Sequence, residues 1–207
     1  MSRLRSVKLG LIALSALSVS ACVSLLPEVE PAAVYRLSSP EPRMGEAGLE
    51  PVIVQVQRPV APSGLSGDEI AVAVADRHLA YMSAARWIAP APVIIQNLII
   101  DTFHAGEDGV EPVHPADAIR ARFELRLDLR EFEAHYDRGR DVAPTVRVRI
   151  AARLIESDGR ELVASQVFSA NVRAGANRAG AIVTAFNEAS TQVATELANW
   201  TGDASAR

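Results

Sequence analysis

Cysteine occurs once in the 207 residues, at position 22. That excludes a disulfide framework and any zinc site built on several thiolates. Lysine also occurs once, as Lys8, so every other basic side chain is an arginine. Basic residues number 21 against 25 acidic ones, a formal charge of −4. Nucleic-acid binders are basic, so the charge gives that class no support. Aromatic residues make up 5% of the chain, while 49% of it is hydrophobic. The core must therefore be built from Ala, Val, Leu and Ile, and there is enough of it to exclude disorder as the main state.

What is present begins with a leader. Arg3, Arg5 and Lys8 precede an apolar run over 9–19, and small residues follow in Val19-Ser20-Ala21-Cys22. A basic start, a short apolar stretch and small residues at a cleavage point make an export signal. Val-Ser-Ala-Cys resembles the bacterial lipobox, in which the leader (1–21) is removed and the new N-terminal cysteine carries long acyl chains such as palmitate. Two other readings stay open. One is a membrane-spanning helix continued to Leu26, which Ser15, Ser18, Ser20 and Ser24 dilute and Pro27 closes. The other is a secreted protein with a free thiol. Each buried CH₂ adds about 0.8 kcal/mol, so a multiply acylated Cys22 holds stably where one chain does not. Val23, not an aspartate, follows Cys22, so no inner-membrane retention signal is present and the periplasmic face of the outer membrane is expected. Losing the leader removes three basic residues and no acidic one, taking the formal charge from −4 to −7. Acyl chains, rather than charge, would then hold the protein to a membrane.

Residues 22–32 read as a lipidated tether, 33–202 as a single domain and 203–207 as a flexible tail. Strands are expected at 33–38 and 51–57, with loops at 40–50 and 59–67. A hairpin is expected from 70–75 and 78–82 across Asp76-Arg77. Residues 84–92 read as a Pro-bounded connecting segment that carries Trp87. Apolar residues at 94, 95, 98, 99 and 103 have helical spacing, and Pro92 suits a first turn, so 93–104 reads as a helix. The acidic, Gly- and Pro-containing stretch 105–118 reads as a loop. Residues 120–133 alternate cleanly, with Phe123, Leu125, Leu127 and Leu129 on one face, and the slip at Glu131-Phe132 predicts a bulge. Strands at 145–156 and 162–172 follow around a turn at 157–160. A long helix closes the chain over 177–200, its stripe running Ile182, Phe186, Ala189, Val193, Leu197 and Trp200. The economical packing is α/β: a mixed β-sheet of about five or more strands with helices packed on it. Charges of both signs on the polar faces of 120–133 and 145–156 predict a solvated or partner-facing side.

The motifs of catalysis are missing. Histidines 78, 104, 114 and 135 form no i, i+4 pair, so helical zinc ligation is absent. His104 and His114 flank Glu107, Asp108 and Glu111, which reads as a solvated acidic loop in preference to a metal site. Ser66 lacks the strand–turn–helix setting of a nucleophile. Residues 175–180 (GANRAG) have P-loop spacing, but Ala181 and Ile182 stand where Lys and Ser/Thr would grip phosphate and magnesium. Asp137 and Asp141 are flanked by Arg138 and Arg140, the pattern of a solvated turn. No catalytic residue, metal or cofactor is assigned.

With these residues in view, the chain resembles the ABC-type transport auxiliary lipoprotein component family, the PqiC/YmbA-like proteins. Three stretches carry the resemblance. The lipobox is followed by Tyr35-Arg36-Leu37, similar to the family's opening strand. His78-Leu79-Ala80-Tyr81 leads to Ala85-Arg86-Trp87 and then Pro90 and Pro92 before a helix. Leu125 to Phe132-Glu133-Ala134 is similar to the family's Leu-x-x-Phe-Glu strand. The extended acidic loop at 105–118 departs from the pattern. The resemblance implies a fold like the N-terminal domain of TolB and a place beside Mce/MlaD-type systems that move lipids between inner and outer membranes. It implies an outer-membrane partner, lipid-anchored at Cys22, for a periplasmic Mce-type substrate-binding protein and its permease and ATPase. Tyr81, Arg86 and Trp87 are the family-motif or docking candidates, Trp87 expected buried where elements meet and Arg86 beside it at the surface.

The leading expectation is thus a non-enzymatic adaptor. The runner-up is a periplasmic lipid-binding carrier whose 93–104 helix encloses an acyl chain, although such a helix ordinarily packs on its own sheet. A lipoprotein hydrolase is the third, and no motif supports it.

Overall fold

Alternation of apolar and polar residues sets the strongest elements. In the computed structural model, which describes residues 31–42, 51–74, 78–106 and 109–206, β6 spans Phe123–His135, β7 Thr145–Glu156 and β8 Leu162–Arg173. These three form an antiparallel meander, with Leu127 opposite Ala152 and Ile150 opposite Phe168. Phe123, Leu125, Leu127 and Leu129 point into the core, as do Val146, Val148, Ile150, Ala152 and Leu154. The register shifts between Leu129 and Glu131, so Phe132 and Ala134 return to the buried side. This bulge is the one expected from the sequence slip.

The other edge of β6 is matched by two strands laid end to end in the same direction. β2 (Val52–Val56) pairs in parallel with its start, Val54 opposite Phe123. The chain continues along β6, the Val60 N–H donating to the Leu127 carbonyl at 2.9 Å. It then leaves the sheet and returns as β3 (Glu69–Ala73), with Val72 opposite Ala134. The edge strand β5 (Val110–Val113) adds to β2, and β4 (Leu79–Trp87) followed by β1 (Ala33–Tyr35) adds to β3. The result is a mixed sheet of eight strands.

Two helices cover one face. α1 (Ala91–Ala105) begins with Pro92 in its first turn and buries Ile94, Ile95, Leu98, Ile99 and Phe103. Its buried Gln96 donates to the Val56 carbonyl at 2.9 Å, which removes the cost of an unpaired amide. α2 (Ala179–Ser205) packs on β7 and β8 and against α1, burying Ile182, Phe186, Ala189, Val193 and Leu197. The segment after β1 straps across both helices: the Ser38 N–H donates to Asn187 Oδ1 at 2.7 Å, and the Ser39 hydroxyl donates to Asp101. Residues Ala32–Arg207 make one compact unit with one core.

Three expectations are corrected. Residues 84–87 are not a connecting segment; they continue β4 to Trp87, whose N–H donates to the Asp68 carbonyl at 2.7 Å. The stretch 105–118 is not all loop, because 110–113 gains a parallel partner in β2 and becomes β5 despite Pro112, which an edge strand tolerates. The tail expected at 203–207 is helix as far as Ser205, with Ala204 and Ser205 buried. The 93–104 helix packs its apolar side chains into the core, the reading preferred from the sequence over an enclosed acyl chain. The leader, the lipobox residues Val19, Ser20 and Ala21, Cys22, and the Asp76-Arg77 turn lie outside the described residues.

Candidate docking surface

The sequence candidates on β4 separate into core and surface. Trp87 is 1% exposed. Its indole lies against both Phe132 of β6 and Phe186 of α2, with ring centroids 5.4 Å and 5.2 Å away. It ties strand, strand and helix together, and it offers a partner nothing. Arg86, its neighbour, points the opposite way along the alternating strand and pairs with Asp68 at 3.7 Å. Tyr81 is exposed, and its hydroxyl donates to the Gly64 carbonyl at 3.2 Å. Tyr81 and Arg86 therefore lie on the face away from the helices, beside the 61–68 loop, while Trp87 faces inward.

That helix-free face is the sheet's charged side. Arg126 pairs with Glu124 at 3.0 Å, Arg153 with Asp128 at 3.0 Å and Arg149 with Glu131 at 3.4 Å. Solvated pairs of this kind contribute little to stability and chiefly fix the order of charges across the strands. Glu133 is half-buried there, and burial together with Glu131 pushes its carboxyl above the ordinary range, while His135 and Arg147 act in the opposite sense. At the far end of β8, Arg173 donates to Asp137 at 2.7 Å and to the Ala143 carbonyl at 2.8 Å. This guanidinium holds the Asp137 carboxyl below the usual range.

The ligand and nucleophile candidates are scattered. His104 stands 3.9 Å from Glu111, and the backbone N–H of His114 donates to the Asp117 carboxylate at 2.7 Å. Glu107 and Asp108 lie outside the described residues. Residues 175–180 lead directly into α2 at Ala179.

One surface was not singled out from the sequence. Among the described residues β8 pairs only with β7, so its other edge presents a row of backbone N–H and C=O groups. From Leu162 to Val172 it carries no charge and no proline, and Leu162 and Val167 are 60% and 59% exposed. Proteins ordinarily blunt such an edge with Lys, Pro or a bulge, and here the one such device is a register slip at Val163, near the start of the strand. The uncharged run was visible in the sequence, but that it is an edge follows from the pairing order alone.

The model of the ABC-type transport auxiliary lipoprotein component family matches residues 35–198. A crystal structure of a Xanthomonas campestris protein of the DUF330 family superposes with a TM-score of 0.73 at 24% identity, covering 84% of this chain and 96% of that one. A hypothetical protein of Chlamydia trachomatis gives a TM-score of 0.53 at 8% identity, over 75% of this chain and 98% of that one. At these identities the likeness concerns the fold. An uncharacterized protein of Bradyrhizobium diazoefficiens is 27% identical over 115 residues, which span 56% of this chain and 30% of that one.

Proposed function

Since the chain belongs to the ABC-type transport auxiliary lipoprotein component family, we propose that it is the outer-membrane adaptor of an Mce/MlaD-type lipid transport system. Acyl chains on Cys22 confine the domain to the periplasmic face of the outer membrane. The folded body docks a periplasmic Mce-type substrate-binding protein, whose permease and ATPase lie in the inner membrane. The adaptor performs no chemistry of its own; energy comes from the ATPase.

The observation that carries docking is the free edge of β8. An extended segment of the partner adds there as a further strand, its backbone hydrogen bonds giving affinity and its side chains meeting Leu162, Val163 and Val167. Tethering raises the effective concentration of this edge for a partner arriving across the periplasm. Tyr81 and Arg86 extend the contact to the helix-free face.

The test is complementation combined with crosslinking in cells. The full chain restores the barrier of a deletion strain and crosslinks through β8 to an Mce-like protein. An exported form lacking residues 1–22 folds but complements poorly. Full complementation by that untethered form overturns tethering, and recovery of no Mce-like partner overturns the assignment.

A further inference from the structure

Near the first turn of α2 the inner face of the sheet keeps a hollow of about 390 Å³. Its wall is small or apolar: Val72 of β3, Ala80 and Met82 of β4, Tyr136 just after β6, and Ala179 of α2. The cause is local. Glu69 lies opposite Arg86 but Ala71 opposite Tyr81, so residues 82–85 bulge against Ile70 alone. The bulge brings Ser83, Ala84 and Ala85 to the wall, and their short side chains leave the space unfilled.

Arg140 also lines this hollow. It follows Gly139, whose φ of +93° is open to glycine and strained for other residues. Asn177 fixes the corner: its Nδ2 donates to the Arg140 carbonyl at 2.7 Å, and its Oδ1 accepts from the Tyr136 hydroxyl at 2.9 Å. Arg149 and Arg173 are occupied by carboxylates, whereas among the described residues none lies within ion-pair distance of Arg140.

An apolar hollow with an uncommitted guanidinium beside it is complementary to one kind of ligand. Covering the wall with an alkyl chain gains about 25 cal/mol per Å² removed from water. An anion at the end of that chain gives Arg140 a charge-assisted hydrogen bond. The volume falls within the range of small-molecule sites. We propose that this hollow binds one acyl chain bearing an anionic head, with the chain against Val72, Met82 and Tyr136 and the head on Arg140. The inference goes beyond the adaptor reading and does not rest on it: the protein has a lipid contact of its own, at a site apart from β8.

The test uses the full chain in phosphatidylcholine vesicles, with Ser83→Cys carrying an environment-sensitive dye in the wall. Decanoate, decyl phosphate and decylammonium are the probes. A saturable blue shift is expected with an anion, and decylammonium should bind about ten-fold more weakly. A preference for decanoate identifies a free fatty acid as the source, and a preference for decyl phosphate an anionic phospholipid. Arg140→Glu, an exposed change, should weaken the anions by about ten-fold. Ala80→Trp should fill the hollow and remove the response. The proposal is overturned by no saturable response to either anion, by decylammonium matching them, by Arg140→Glu leaving binding unchanged, or by binding that survives in folded Ala80→Trp. Crosslinking through β8, read on the same variants, reports partner docking separately.

Discussion

The indole of Trp87 stands edge-on to the ring of Phe186, their planes 85° apart and their centroids 5.2 Å apart. Phe132, 4.8 Å from Phe186, closes the triangle. Trp87→Ala should cost about 3–5 kcal/mol in urea unfolding, because it empties a site shared by two strands and a helix. The indole N–H has no acceptor among the described residues. Trp87→Phe gives up no hydrogen bond and leaves a smaller void, so it should cost less than Trp87→Ala. Equal losses in the two variants would contradict this packing.

Acid should weaken the corner where Arg173 meets Asp137. The guanidinium depresses the carboxyl's pKa, so the ionised form is favoured in the folded state. Its contribution is complete above about pH 4 and is lost as the pH falls through the lowered folded value. Asp137→Asn should therefore flatten the acid limb of a stability–pH curve and leave its neutral part parallel to the parent's.

Glu133 works in the other direction. Its carboxyl, raised by burial and Glu131, keeps its proton to a higher pH in the folded chain than in the unfolded one. Stability contributed by the protonated form falls as the pH rises through the window above about 4.3. Glu133→Gln should raise the thermal midpoint at neutral pH and bring no gain at acid pH. His135 and Arg147, which act against the shift, stay in place, so the slope between the two conditions is the quantity to measure.

A charge on the free edge should separate docking from stability. Val167 is exposed at the middle of β8, so Val167→Lys should change stability by no more than about 0.5 kcal/mol. The same change should abolish crosslinking to the partner, since lysine on an edge opposes strand addition. Retained crosslinking would place docking elsewhere on the surface.

Cys22→Ser should leave an uncleaved precursor without acyl chains. Mass spectrometry of the membrane fraction reads both properties at once. Normal acylation or normal leader removal in this variant would refute the anchor.

The sequence displayed those elements whose own pattern decides their form. β6 and β7 alternate over a dozen residues each, and α2 repeats its stripe for several turns, so neighbours only confirm them. β5 is different: four residues including Glu111 and Pro112 become a strand only because β2 supplies hydrogen-bond partners. β4 hid its length because the bulge at 82–85 breaks the alternation and prolines follow. Burial of Trp87 beside an exposed Arg86 was expected from a Pro-bounded junction, whereas the structure gives a different cause, because the two are adjacent residues of a strand and face opposite sides. The Arg140 hollow was not, because it arises where a bulge, a turn and a helix start meet across about a hundred residues of chain.

The two strands laid end to end along β6 also set a timetable. A chain synthesised from its N-terminus can pair β3 with β4 and β2 with β5 early, but the strand that joins those two pairs into one sheet appears only with residues 123–135. The β6–β7–β8 meander needs only short turns and forms quickly, whereas the parallel pairings must close long loops. Truncation ahead of β6 should thus leave two strand pairs with no strand to join them into a sheet. Cells that make this protein must shelter those strands until its last eighty or so residues arrive.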